Sequence, residues 1–306
     1  MQKNTQKARA LISIGSAIVF TVFAIVILWI TYNDIETFRA THKDTVTNQV
    51  SSASVSIERF LDERLRYVET FTVEKSDLIA AMSQAPDNEE LRKKIEQELA
   101  KLFPLYFTFT LTDTRGNDQI ADIEGFVGEI CLASIYDFIS QRKSVHATQT
   151  HYYEVEIHPQ ANNYHFDMMA PWYANGELKG VFFISFFPDL IQEILVSHET
   201  EDHRLYVVHR EKAGLIEITS EGARDKFGAH REIYLTPWET ENILGWRAVK
   251  NSRWIVIGLP APGLFSDYSQ SRWTVAGLAI LVFGVLITLS AAFAIRRTAK
   301  RHADAK

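Results

Sequence analysis

The chain has 306 residues, of which 46% are hydrophobic and 23% charged, and its formal net charge at pH 7 is −6. This composition is ordinary for a folded protein, which excludes a disordered tether, and the mild acidity gives no indication of nucleic-acid binding. The single cysteine, Cys131, excludes an intrachain disulfide, so we expect an apolar core to hold the fold.

The first predicted element is an uncharged apolar segment, residues 11–32, which follows a short N-terminal stretch at residues 1–10. A helix needs about 20 residues to cross about 30 Å of hydrocarbon, and this segment has that length. It ends at Trp29 and Tyr32, aromatic side chains suited to a membrane boundary, and no cleavage-like sequence follows. We therefore predict a permanent membrane anchor rather than a removable export signal.

A second uncharged segment, residues 273–295, predicts another membrane helix, since buried helices of soluble proteins rarely stay uncharged for this length. Basic residues flank both predicted spans on their terminal sides, which is typical of cytoplasmic ends. We expect both termini in the cytoplasm, the spans in contact with membrane lipid, and the central segment outside. The flanking basic residues are Lys3, Lys7, Arg9, Arg296, Arg297, Lys300 and Arg301.

Residues 33–85 predict one long signalling helix, because they contain no proline or glycine and their apolar positions recur at steps of three and four. The helix continues directly from the first span, so it can carry motion along its axis. Its apolar stripe from Ile57 to Phe71 exceeds what one small sheet is expected to cover. This excess predicts a parallel homodimer with the stripe near its axis.

Residues 86–200 predict a first sheet with its helices, after the stretch APDN at residues 85–88 has ended the long helix. A helix at residues 89–103 is followed by a hairpin around a D-T-R-G-N turn, a short helix at residues 130–143 and three further strands. The turns between those strands are HPQANN and ANGE. We expect five antiparallel strands in a meander, with helices packed on one face.

Residues 201–262 predict a smaller second set of strands, in which the polar stretch 222–242 stays unassigned. A linker at residues 263–272 is expected to lead into the second span as a helical continuation, and residues 296–306 form a cytoplasmic tail. The predicted fold class is α+β: a long N-terminal helix packed on antiparallel sheets, flanked by two transmembrane helices.

This layout and three local motifs resemble the double Cache sensor domains of bacterial transmembrane receptors, whose sheets are PAS-like. The hairpin FTLTDTRGNDQIADIEGFVGEI has Asp113, Gly116 and Gly128 where that family has an Asp and two glycines. The stretch YHFDMMAPWYANGELKGVFFISF is similar to the strands that close the membrane-distal sheet of the family. The stretch GWRAVKNSRWIVIGLPAP is similar to the last strands of the membrane-proximal sheet. The resemblance covers roughly residues 33–272.

Proteins of this family are signal-transducing receptors, and the resemblance implies the same function here. They bind a small ligand outside a bacterial inner membrane and transmit the signal to a cytoplasmic output, such as a diguanylate cyclase, a histidine kinase or a chemotaxis signalling rod. The eleven residues from Arg296 contain no output motif. Either the chain is the sensor half of a longer receptor, or it acts through a partner. The alternative function is a membrane-tethered interaction protein that regulates another protein.

The stretch NYHFDMMAPWYA, residues 163–174, is the most informative for chemistry. In a strand, His165 and Asp167 share one face, while Phe166 lies on the other. An acid in mid-strand is costly to bury unless it is paired. The Asp167 face is therefore either a pocket wall, where Asp167 accepts hydrogen bonds from a ligand amine or hydroxyl and His165 assists, or a face that is wet or paired internally with a cation such as Arg142.

Three aromatic residues complete the predicted site. Tyr153, on the preceding strand, can lean over a ligand with its hydroxyl as donor, although packing is the commoner role of such a tyrosine. Trp172 and Tyr173 lie at a strand end, where aromatic side chains often frame a cavity. The predicted ligand-binding residues are Asp167, His165, Tyr153, Trp172, Tyr173 and Arg142.

The sequence favours neither a metal, nor a cofactor, nor catalysis. Four histidines, His146, His151, His158 and His165, have irregular spacing and fall on different strands and turns, which is not the pattern of a metal site. They can still confer pH sensitivity. No nucleophile turn or phosphate-binding glycine loop occurs, so we expect no enzyme.

Overall fold

The computed structural model describes residues 2–117, 119–120, 134–140, 154–160, 163–227 and 231–303. One unit comprises the residues up to Asp44 and those from Ala261 onward, and a second comprises Thr45–Pro260. The helices are α1 (Gln2–Glu74), α2 (Ser76–Gln84), α3 (Glu89–Leu102), α4 (residues 134–140), α5 (Asp189–His198), α6 (Pro237–Glu241) and α7 (Leu264–Ala303). The strands are β1 (Tyr106–Leu111), β2 (Ile157–Gln160), β3 (Asn163–Ala174), β4 (Glu177–Phe186), β5 (His203–His209), β6 (Ile216–Thr219), β7 (Gly222–Ala223), β8 (Gly245–Ala248) and β9 (Trp254–Pro260).

The first unit is an antiparallel pair formed by the first part of α1 and by α7. The rings of Phe23 and Phe283 lie 3.9 Å apart between centroids, and Asp34 Oδ2 lies 2.9 Å from Arg272 Nε. Tyr268 Oη donates to the same oxygen at 3.0 Å. Both helices are long and apolar enough to cross a membrane, with a mean hydropathy of 2.7 in their most apolar windows. α7 begins at Leu264, so the predicted helical continuation into the second span is confirmed.

The long N-terminal helix ends earlier than predicted. α1 stops at Glu74, and α2 begins at Ser76 after a break at Lys75. No proline or glycine marks this break. Lys75 has φ −108° and ψ 20°, and its ammonium lies 2.8 Å from Glu98 Oε2 on α3. The α2 helix that follows buries Ile79 and Met82.

The apolar stripe of α1 lies in the core of the second unit. Ile57 and Phe71 are fully buried there, and a Cβ on Gly258 of β9 would lie 2.2 Å from Val46 Cγ1, so any larger residue at position 258 would force its neighbours to shift. The premise that the stripe needs a second copy to cover it is therefore wrong. The dimer itself stays a prediction, and it would use an exposed part of the helix, such as the one that carries Tyr67, which is 52% exposed.

The first sheet is antiparallel, with strand order β1-β4-β3-β2 in the described part of the chain. β3 has the predicted bounds, and the predicted ANGE turn places Asn175 and Gly176 at φ values of 53° and 79°, as a tight hairpin requires. The D-T-R-G-N turn is also confirmed, since Gly116 N donates to Asp113 O at 3.1 Å. The strand predicted after that turn lies mostly outside the described residues.

One predicted turn is shorter than expected. HPQANN was assigned to a turn, but His158 and Gln160 belong to β2 and pair with His165 and Asn163 of β3. The cross-strand pairing of β2 with β3 therefore continues to Gln160. As a result, His158 lies opposite His165 and is buried.

The second sheet has strand order β7-β6-β5-β9-β8. It shares a core with the first sheet, in which Val207 and Val256 pack with Phe166. The stretch that the sequence left unassigned contains β7, a 3₁₀ turn at Arg224–Lys226 and α6. Thr236 and Glu239 form a capping box that starts α6.

Candidate ligand-binding site

The centre of β3 carries a polar cluster that we call the acid–imidazole cluster, formed by Asp167, His165, His158 and Ser185. His158 lies opposite His165 across the β2–β3 pair, and Ser185 lies opposite Asp167 across the β3–β4 pair. Three neighbouring strands thus each contribute to one spot on one face of the sheet. This confirms that Asp167 and His165 share a face.

The carboxylate of Asp167 is the centre of the cluster. Ser185 Oγ donates to Asp167 Oδ1 at 2.7 Å. His158 Nε2 lies 3.3 Å from Asp167 Oδ2, and His165 Nε2 lies 3.6 Å from Oδ1. An ionised carboxylate has about four acceptor positions, so one group can serve several donors at once.

The cluster is withdrawn from solvent. The exposed fractions of Asp167, His165 and His158 are 0%, 1% and 3%. Burial is the main cause that lowers the pKa of His158 from 6.5 to about 3, and nearby basic groups, among them His165 and Arg253, add to it. His158 is therefore neutral at pH 7, and it donates to Asp167 when its proton is on Nε2.

Apolar residues cover this face of the first sheet. Met169 and Phe183 join Ile135 and Phe138 of α4 in a small apolar cluster, while the ring of Phe107 lies 5.3 Å from that of His165. The opposite face packs on the main core. Both faces of β3 are thus buried, so the hypothesis of a wet second face is wrong for its centre.

Two further predicted site residues, Trp172 and Tyr173, lie apart from the cluster. Trp172 packs in the main core, on the face opposite Asp167, and its Nε1 donates to Thr112 O at 3.3 Å. Tyr173 is 43% exposed at the end of β3. Tyr153 and Arg142 lie outside the described residues.

Sequence reasoning missed Ser185. A hairpin with the register set by its Asn175–Gly176 turn would place Ile184 opposite Asp167. A register shift between Trp172 and Tyr173 advances the pairing by one residue and brings in Ser185 instead. A β-bulge of this kind leaves no clear mark in the sequence.

A metal site finds no support within the described ranges, where no group of three or more His, Cys, Asp or Glu side chains could hold an ion. Two of the four histidines considered above, His146 and His151, lie outside those ranges.

No family model matches the chain, and no curated protein matches it. Among solved structures, the chain is similar to the ligand-binding domain of the Pseudomonas aeruginosa PAO1 amino acid chemoreceptor PctC in complex with GABA. The identity is 13%, the match covers 72% of this chain and 100% of that one, and the TM-score is 0.46.

Two further similar structures come from Vibrio cholerae. The sensor domain of the histidine kinase DctB is 10% identical, with 74% of this chain and 99% of that one covered and a TM-score of 0.49. The periplasmic domain of LuxQ is 12% identical, with 70% and 100% covered and a TM-score of 0.46. The similar structures thus include a ligand-binding domain of a chemoreceptor and the sensor domain of a histidine kinase, the kinds of receptor that the sequence resemblance names. The α+β fold class, with a long N-terminal helix and antiparallel sheets, is confirmed by the helices and strands of the chain itself.

Proposed function

We propose that the chain is a two-pass module of a bacterial inner membrane that binds a small ligand outside and passes the signal through its membrane helices to a cytoplasmic output. The continuity of α1 is the observation that carries this proposal. A single helix, Gln2–Glu74, contains the predicted first span and also the stripe from Val46 to Phe71 that packs in the core of the sheets. We infer that a shift of that stripe is passed along this helix to the span.

A ligand can drive such a shift only if it binds one arrangement of the sheets better than the other. The acid–imidazole cluster offers the chemistry for this, because a buried carboxylate prefers a partner that donates hydrogen bonds, above all an amine. We assign the ligand contact to Asp167, with His165 assisting. The ligand class that follows is a small molecule with a primary amine or a hydroxyl group.

Thermal unfolding of the full chain in detergent micelles tests this assignment. A panel of primary amines, including γ-aminobutyrate and L-arginine, would be screened for a rise in melting temperature. In Asp167→Asn, the responding amine should lose about 1.5–3 kcal/mol of binding energy, which is about ten- to a hundredfold in affinity.

The matched control is Glu217→Gln, which neutralises a fully buried acid on the second sheet. It should leave the response to the amine unchanged. An equal response in Asp167→Asn and in the unmodified chain would show that Asp167 serves the fold and not the ligand.

Membrane topology can be tested separately from ligand binding. A reporter that is active only in the cytoplasm should work when fused after Arg301 and fail when fused near Asn175, because basic residues flank both spans on their terminal sides. Activity at Asn175 would reverse the orientation and remove the sensor proposal with it.

A further inference from the structure

The outer face of the second sheet carries a cavity of about 470 Å³. Side chains of β5 and β9 form its floor, and the segment that leads into α6 forms its opposite wall. Pockets that bind small molecules have volumes of roughly 300–1,000 Å³. The lining residues that matter here are Val208, Arg210, Tyr234, Leu235, Trp246 and Ile257.

Strand alternation makes the floor of this cavity apolar. Val208 pairs with Ile255, and Trp246 pairs with Ile257. The neighbour of Trp246 on β8, Arg247, bonds Ser51 of α1 on the inner face, so Trp246 lies on the outer face. A continuous apolar surface therefore runs across three strands.

Two polar side chains at one end of the cavity, Arg210 and His209, already have hydrogen-bond partners within the protein. Arg210 Nη2 lies 2.8 Å from both carboxylate oxygens of Glu154. His209 Nδ1 accepts from the amides of Glu211 and Lys212 at 3.0 and 3.1 Å. Arg210 therefore offers an anionic ligand no unpaired charge, although its pair with Glu154 is partly exposed and contributes little energy by itself. This favours an uncharged occupant over an anionic one.

Two aromatic rings at the margin remain open to solvent. Trp246 is 69% exposed and Tyr234 is 49% exposed, although both line the cavity. A flat apolar molecule between them would bury both rings, and burial of aromatic surface is a large favourable contribution to binding.

We propose that this cavity is a second small-molecule site, which takes an uncharged molecule with one or two aromatic rings. It lies on another sheet than the acid–imidazole cluster, and it shares no residue with that cluster. Its existence therefore does not depend on the proposed amine site.

Indole, an uncharged bicyclic probe, tests the proposal on the full chain in lipid nanodiscs. Labelling with 5-fluorotryptophan gives each tryptophan a fluorine resonance, and the Trp246→Phe variant identifies the one that belongs to Trp246. Titration with indole should shift the Trp246 resonance to a saturating limit. Trp238, which is 43% exposed but does not line the cavity, should not follow the same curve, and Trp29 reports any partition of indole into the lipid.

Two matched variants separate the cavity from its surroundings. Ala213 lines the cavity on an exposed turn, so Ala213→Phe should fill it and weaken indole binding by about tenfold or more. Lys212→Phe adds the same ring one residue away, outside the lining, and should change the affinity by less than about twofold.

The charge of the occupant is tested with indole-3-acetate, which should bind more weakly than indole, because its carboxylate would lose hydration at an apolar surface where Arg210 is already paired with Glu154. Tighter binding of the acid would overturn the assignment to uncharged molecules. A linear, unsaturated shift of all tryptophan resonances, unaffected by Ala213→Phe, would overturn the site itself.

Discussion

The two sheets of the second unit use their inner faces alike and their outer faces differently. Phe166 of the first sheet and Val256 of the second belong to one apolar core. On the outer face, the first sheet buries Asp167 and two imidazoles, whereas the second presents apolar side chains to an open cavity. The shared core constrains the inner residues through packing. The outer faces do not share that core, so each sheet can carry a different set of functional side chains there.

The contact that joins the two sheets should have the largest effect on stability. Trp254 of β9 is fully buried, and its ring meets that of Phe166 edge to face at 5.9 Å. Trp254→Ala should lower the free energy of unfolding by about 3–5 kcal/mol, because it leaves a cavity between the sheets. Urea unfolding of the full chain in micelles, followed by circular dichroism, measures this change.

The exposed Trp246 supplies a matched control for this variant. Trp246→Ala should cost less than about 0.5 kcal/mol, because its ring is mostly in solvent. If the two variants were equally stable, the core would not be continuous between the sheets.

The two sheets also differ in how much space surrounds a buried glycine. A Cβ on Gly180 of the first sheet would lie 1.7 Å from the carbonyl oxygen of Thr112, whereas the nearest atoms to one on Gly258 of the second are methyl carbons of Val46 and Val50. Gly180→Ala should lower the free energy of unfolding by about 3 kcal/mol, because a backbone carbonyl cannot change rotamer. Gly258→Ala should lower it by about 1–2 kcal/mol, because only side-chain atoms have to move. Melting temperatures of both variants, with Gly277→Ala in open space as the control, check this order. A greater loss in Gly258→Ala would contradict it.

The fold could be predicted from the sequence where local pattern and packing agree. It could be predicted best at β3, whose bounds match the prediction because an Asn-Gly turn marks its end. The break at Lys75 and the start of α6 could not be predicted in the same way. No proline or glycine marks the first, and the second begins a helix of only five residues, whose local signal is the capping box of Thr236 and Glu239.

The candidate site was predictable only in part, for a related reason. Alternation along one strand places His165 and Asp167 on the same face, and no other strand is needed for that inference. His158 and Ser185 join them through cross-strand register, which depends on the extent of β2 and on a bulge in β4 at Lys179. Alternation also places Trp172 opposite Asp167, since the two positions differ by an odd number of residues.

The first sheet should lose stability in acid through His158. Its pKa is about 3 in the folded chain, against 6.5 for an exposed histidine. A lowered pKa means that the neutral form is favoured by folding. The resulting stability is present above pH 6.5 and is lost as the pH falls from 6.5 towards 3, by about 2 kcal/mol after relaxation of the site. His158→Gln should flatten the slope of melting temperature against pH in this range, and an unchanged slope would exclude the effect.

The second sheet should respond to pH with the opposite sign, through Glu217. This acid is fully buried, with Oε2 2.9 Å from Arg224 Nη2, and Arg224 lies over the ring of Tyr164 on the first sheet. Burial raises the pKa of Glu217 from 4.5 to about 7, although Arg224 opposes the rise. Folding therefore favours the protonated acid.

The stability that Glu217 contributes is thus complete below pH 4.5 and is lost as the pH rises from 4.5 through 7, by about 1 kcal/mol given the partial compensation by Arg224. Glu217→Gln, which cannot ionise, should become more stable relative to the unmodified chain across that range, as measured by melting temperature at each pH. Glu221→Gln, an exposed neighbour, should show no such trend. A gain for Glu217→Gln on acidification instead would mean that the Glu217–Arg224 pair is held ionised, and that the two sheets titrate in the same direction.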